Sequence, residues 1–158
     1  MTKKGQLLIE SLVAISVLII GFLGIFGLLS RSLSLNNVIS SQYIASNLAA
    51  EGIEVVKNLI DANFIQNLPW NSGITDGSYG VSFNSTSLND LQDQFLNLTP
   101  NNLYSYEAGQ PTPYKRDIVI VNKGDEIQVN SIVTWQIRGG SYSITLEDHF
   151  FNWRPYEE

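Results

Sequence analysis

Residues 3–31 read KKGQLLIESLVAISVLIIGFLGIFGLLSR, and from Leu7 to Leu29 almost every side chain is apolar. No charge occurs between Glu10 and Arg31. As a helix rising about 1.5 Å per residue, roughly 20 such residues cross the ~30 Å hydrocarbon core of a bilayer. The run therefore predicts a transmembrane helix over residues 6–30. A secretory signal is the rival reading, but its apolar region is typically about 7–15 residues long and ends at a small-residue cleavage site. This run is longer, and no A-x-A pattern closes it before Arg31. Lys3 and Lys4 precede it, so the positive-inside tendency places the N-terminus in the cytoplasm and the C-terminal part outside.

Glu10 needs an explanation. At the bilayer centre an acidic side chain costs about 2.5–3.5 kcal/mol, less near the interface, and intramembrane acids therefore tend to be functional. Glu10 lies about one turn inside the run, so it either has such a role or snorkels to the headgroups beside Lys4. Gly21, Gly24 and Gly27 recur every three residues. Small residues at that spacing let helices approach closely in lipid, although each weakens a helix by about 0.8–1 kcal/mol relative to Ala.

Outward from this block, nothing forces the helix to stop before Pro69. It is predicted to continue to about Asp61 or Phe64, with a polar break near Ser34-Leu35-Asn36-Asn37. Ala45, Leu48, Gly52, Val55 and Leu59 follow steps of three and four, the spacing of one buried helical stripe. That stripe is expected to pack on a sheet. Glu51, Glu54 and Lys57 lie off its centre and read as a solvated face, with Glu54 and Lys57 an i,i+3 pair. Unbroken from Gln6 to Ile60, such a helix would extend about 80 Å.

After Pro69-Trp70, clusters of Gly, Asn, Ser and Asp separate short β-prone runs, so residues 65–158 read as a largely β head. Tyr79–Phe83 is expected as a short strand, Leu88–Leu98 as a brief helix, and Pro111–Pro113 as a loop. Three stronger strands follow: Lys115–Val121, Glu126–Ile137 and Ser141–His149. Lys123-Gly124-Asp125 and Gly139-Gly140 divide them as hairpin signals. Ile127, Val129, Ser131, Val133, Trp135 and Ile137 share one face of the middle strand, and Ile118 and Ile120 extend its core. One such face against one amphipathic helix predicts an α+β fold. Phe150, Phe151, Trp153 and Tyr156 would fix the tail by burial, or else form an exposed contact patch.

The chain has 158 residues, 44% apolar and 15% charged, outside the composition of disordered proteins. Its formal charge is −6, and the only adjacent basic pairs are Lys3-Lys4 and Lys115-Arg116. Nucleic-acid binding, which leans on clustered Lys and Arg, is not expected. There is no cysteine and one histidine, His149, so the usual partners for nucleophilic catalysis and zinc are missing. No enzymatic activity, cofactor or metal site is expected. Asp125-Glu126 and Glu147-Asp148 lack the spacing of a calcium loop and read as solvated acids.

Lys3-Lys4-Gly5, then Gln6-Leu7-Leu8-Ile9-Glu10-Ser11-Leu12 and an apolar helix, resembles the leader of type IV pilins and type II secretion pseudopilins. The segment Ala45-x-x-Leu48-Ala49-x-Glu51-Gly52-Ile53-Glu54 and the ending Tyr142–Trp153 further resemble minor pilins of the PilV type. The resemblance implies a leader at residues 1–5, cleaved between Gly5 and Gln6 by a prepilin peptidase, with methylation of the new amine on Gln6. The family's acid falls on Glu10, fifth after the cut, where it would neutralise that amine during assembly. Gln6 departs from the Phe or Met usual at that place. Residues 6–30 become an assembly helix, residues 31–64 its amphipathic second half, and Gly21, Gly24 and Gly27 a point of packing or local melting. The implied fold is type IV pilin-like, a long N-terminal helix packed on a small antiparallel head. The implied partners are other pilin or pseudopilin subunits, an inner-membrane assembly platform and membrane lipid. The implied product is a pilus or pseudopilus subunit. A tip or membrane-tethered adhesin, binding through the Asn-rich loops at residues 84–113, is the alternative. Pilins often close their C-terminal region with a disulfide, which this chain cannot form.

Overall fold

A computed structural model describes residues 3–89, 91, 93–137 and 139–153. The chain falls into two compact units, Met1–Ser41 and Gln42–Glu158. One helix and an antiparallel sheet make an α+β layout. Helix α1 runs from Lys3 to Ile65 and accounts for all the described structure of the first unit. The break expected at Ser34–Asn37 is absent. Ser and Asn each cost at most about 0.7 kcal/mol relative to Ala in a helix, and neither removes an N–H as proline would.

In the second unit, α1 ends where the sequence changes character. Asn67 takes a left-handed φ of 56°, its N–H donates to Phe64 O (3.3 Å), and the Leu68 N–H reaches back to Asn63 O (2.9 Å). This pair of bonds is a Schellman closure with Asn in the usual glycine place, and Pro69 prevents any continuation. The Asn63 amide then fastens the following loop by donating to Trp70 O and Ser72 O.

Six strands follow. They are β1 (Gly77–Tyr79), β2 (Phe95–Leu98), β3 (Tyr104–Ser105), β4 (Gln110–Asn122), β5 (Glu126–Ile137) and β6 (Gly140–Phe151). Their order is β3-β2-β4-β5-β6, with β1 on β4 at Ile118–Ile120 and every pairing antiparallel. Gly124 and Gly139, at φ 88° and 82°, turn the two hairpins, as their positions predicted. Tyr114, Arg116, Ile118 and Ile120 of β4 alternate inward with Ile127, Val129, Ser131, Val133 and Trp135 of β5. Such one-sided burial is the habit of an antiparallel sheet with one solvated face.

The covering layer is the helix stripe, which is broader than the sequence spacing proposed. Ala45, Leu48, Ala49, Gly52, Val55, Val56 and Ile60 are buried, while Leu59 is half-buried. A Cβ on Gly52 would stand 2.6 Å from both Ile118 Cδ1 and Ser131 Oγ, so glycine there permits the close approach of helix and sheet. Beside it sits a fully buried cation. The Arg116 Nη1 donates to Leu48 O (2.9 Å) and Glu51 Oε1 (3.0 Å), and Nη2 donates to Val81 O. Glu51, expected on a solvated face, is thus an ion-pair partner of the interior, with 35% of its side chain exposed. Glu54 and Lys57 do form the surface pair, at 3.5 Å.

Three loop readings fail for identifiable reasons. Leu88–Leu98, of which 90 and 92 lie outside the described residues, contains strand β2 rather than a helix. Leu96 is fully buried in the sheet, and that packing overrides weak helix propensity. Pro111 and Pro113 belong to β4, but β5 joins only from Tyr114 onward, and the β2 register shifts between Phe95 and Asn97. Proline is tolerated where a strand lacks a second neighbour or bulges. The short strand near Tyr79 is β1, which ends at Tyr79, with Gly80 bridging Asn89. In the tail, Phe150 packs partly on the core, whereas Phe151 and Trp153 are 58% and 75% exposed. Their fixation by burial is overturned; Tyr156 lies outside the described residues.

Candidate functional site

Gly5 and Gln6 occupy the beginning of α1, and both are exposed. A peptidase needs extended backbone, so cleavage there requires the first turn to open. Gly5 lowers that cost by about 1 kcal/mol relative to Ala. Gln6 and Glu10 lie four residues apart, on one face. Helical side chains lean toward the N-terminus, so the Glu10 carboxylate tilts toward the turn of Gln6.

Glu10 makes no hydrogen bond or ion pair with any described residue. The neighbouring hydroxyls differ, since Ser11 and Ser16 donate to Leu7 O and Leu12 O at 2.8 Å, inside the helix. Around Glu10 the apolar side chains are exposed throughout, from Leu7 at 63% to Leu29 at 53%. The helix is long and apolar enough to cross a membrane. Gly21, Gly24 and Gly27 find nothing within 4 Å of a constructed Cβ, so the shallow groove along them is open. Physically, this segment is an exposed carboxylate without a partner among the described residues and a small-residue groove, on a stretch of helix whose apolar side chains are all exposed.

The second unit carries a different polar device. His149 on β6 places Nδ1 against Glu126 Oε1 (2.5 Å) and Nε2 against Glu147 Oε1 (3.0 Å). With a carboxylate on each nitrogen, the doubly protonated ring is favoured. Glu147 first, and Glu126 with it, hold the imidazolium above the usual 6.5, while the ring hydrogen bonds hold both carboxyls below their ordinary range. Because the raised histidine value is the folded one, its contribution is complete below 6.5 and lost as pH rises through that folded value. The depressed carboxylates contribute above 4.5 and fail as pH falls through theirs. The three-group clamp is therefore complete in weakly acidic solution. A one-dimensional NMR titration follows the single histidine, with an expected midpoint above 6.5 that falls toward 6.5 in Glu147→Gln. An unmoved midpoint would rule out the clamp.

Glu126 and Glu147, considered in the sequence as calcium ligands, thus face a cation of the chain itself. Among the described residues no group of three or more side chains is gathered for a metal ion. A cleft of about 340 Å³ lies beside the clamp, lined by Lys57, Asp61, Phe64, Phe151 and Trp153 among others, with Phe64 and Trp153 rings 5.9 Å apart. Sequence reasoning passed over both the Arg116 network and the His149 clamp. Arg116 had one available signal, its even-numbered place in the inward alternation with Ile118 and Ile120. No family model, curated protein or solved structure matches this chain.

Proposed function

We propose that this chain is a structural, non-enzymatic subunit of a type IV pilus or type II secretion-like filament, of the minor pilin or pseudopilin kind. A prepilin peptidase removes residues 1–5, and α1 then serves as the membrane anchor and assembly element. The observation that carries this reading is Glu10, one carboxylate without a partner among the described residues, in the exposed apolar part of α1 and one turn after Gly5-Gln6. Cutting at that bond creates an amine on Gln6, a site for methylation. A buried carboxylate from another subunit then neutralises it, so that neither charge enters an apolar environment alone. Before assembly the subunit is a single-pass protein of the cytoplasmic membrane, its N-terminus cytoplasmic and its head outside. The groove at Gly21, Gly24 and Gly27 accommodates a neighbouring helix or lets the helix loosen. Lipid, neighbouring subunits and a membrane assembly platform are its partners.

Loss of Lys3 and Lys4 with the leader leaves seven of nine basic residues against fifteen acidic ones, a balance of −8. Intact mass of the protein from cells with and without prepilin peptidase tests the proposal. The expected result is a chain beginning at Gln6 only where the peptidase is present. Met1–Gly5 retained in both would end this reading.

A further inference from the structure

Strand β6 is the last in the sheet and pairs with β5 residue for residue from Gly140 to Phe151, without a bulge. The opposite border is broken into β3 of two residues and β1 of three, with two prolines in β4. Exposed edges are normally blunted by shortness, bulges, lysine or proline. β6 has 12 residues, and no Lys or Pro lies between Gly140 and Phe151. The His149 N–H donates to Asp148 Oδ1 (2.8 Å) rather than to β5. By the two-residue alternation of an antiparallel ladder, Ser141, Ser143, Thr145 and Glu147 also turn their N–H and C=O groups outward. Their side chains are exposed.

We infer that β6 pairs antiparallel with β6 of a second copy of this chain, about a two-fold axis at Ile144. That register sets Ile144 against Ile144, Tyr142 against Leu146, Ser143 against Thr145 and Ser141 against Glu147 of the copy. All four outward-facing residues of each strand find partners, giving about eight main-chain hydrogen bonds. The pairing stops short of His149, whose N–H is already taken. Charge limits the register, because an axis at Glu147 or Asp148 would set carboxylate against carboxylate, which is destabilising. Length selects the occupant. The broken opposite border offers no run to match β6, whereas a second β6 matches it from Ser141 to Glu147, so the contact closes as an isologous pair rather than a chain of heads. The pairing belongs to residues 42–158 and does not rest on the filament reading.

The test uses the full chain in detergent micelles. In a dilution series from about 50 µM, light scattering corrected for detergent is expected to give the mass of two chains at the top and a dissociation constant from the fall. Thr145→Pro removes an outward N–H and no β5 bond, so it is expected to raise the dissociation constant at least about tenfold with an unchanged circular-dichroism melt. If proline disturbs the strand, Thr145→Lys places a charge at the same contact and is expected to raise the dissociation constant likewise. The chain has no cysteine, so Ile144→Cys is expected to oxidise to a covalent dimer, whereas Asn101→Cys in a loop is not. A one-chain mass at 50 µM overturns the inference. A dissociation constant left unmoved by both Thr145 variants also overturns it, since the apolar helices or another surface would then hold the pair.

Discussion

Replacing Arg116 with alanine is expected to destabilise the second unit by about 3–5 kcal/mol. Removing a long buried side chain leaves a cavity, and comparable Met→Ala changes cost about 2–5 kcal/mol. The Val81 carbonyl would also lose its guanidinium donor, and an unsatisfied buried acceptor costs about 1–3 kcal/mol. Two effects offset part of this. Leu48 O lies within helix α1, where the backbone supplies its own donor, and Glu51, about a third exposed, can rehydrate once unpaired. Relief of the desolvated guanidinium, whose Nε has no partner among the described residues, trims the total further. Glu51→Gln is therefore expected to cost about 1 kcal/mol or less, in the range of partly exposed pairs. Arg116→Lys should resemble the alanine change more than the native chain, because an ammonium cannot reach two carbonyls and a carboxylate in a fixed fork. Denaturant unfolding followed through the buried Trp70 and Trp135 measures all three. An Arg116→Ala shift below about 1 kcal/mol would show that this cation does not organise the interior.

The contrast between Arg116 and the aliphatic core explains how much of this molecule could be read in advance. The helix stripe at Ala45, Leu48, Gly52 and Val55, and the inward alternation of β5, are local periodicities, and local periodicity survives in one dimension. Arg116 breaks the inward pattern of β4 by residue type while keeping its phase. A charge there reads as exposed until Glu51, 65 positions earlier, is seen to lie across from it. The His149 clamp is illegible for a related reason, since Glu126 reaches it only through the β5–β6 register that sets Gln128 opposite His149. Leu88–Leu98 reads as a helix because it is dominated by Asn, Gln, Asp and Leu, and its strand comes from pairing with β4 and β3 and from burial of Leu96. The N-terminal segment is the opposite case. Its long apolar helix follows from an unbroken run of apolar residues, which needs no tertiary contact to be read.

Under the proposed filament function, Glu10→Ala is expected to leave the chain in the membrane and keep it out of filaments. An acid inside the apolar run costs up to about 2.5–3.5 kcal/mol on insertion, so removing it favours insertion and cannot explain a loss at that step. In a packed bundle of such helices the balance reverses. The amine on Gln6 would enter a dry environment without a carboxylate, and breaking one side of a buried pair costs about 3–5 kcal/mol. Each ~1.4 kcal/mol is a factor of ten, so incorporation should fall by at least about a hundredfold. Glu10→Gln separates charge from hydrogen bonding. It fills the same space and still accepts a bond, yet it should fail nearly as completely, because the amine needs a counter-charge rather than an acceptor. Glu10→Asp keeps the charge with a shorter reach and should recover part of the loss. Cleavage at Gly5–Gln6 must be checked by mass in each variant, so that a processing defect is not mistaken for an assembly defect. The measurement is the ratio of subunit in sheared filaments to subunit in the membrane fraction. A normal ratio for processed Glu10→Ala would remove the amine–carboxylate partnership, and the solitary carboxylate would then be a snorkelling residue at the membrane surface.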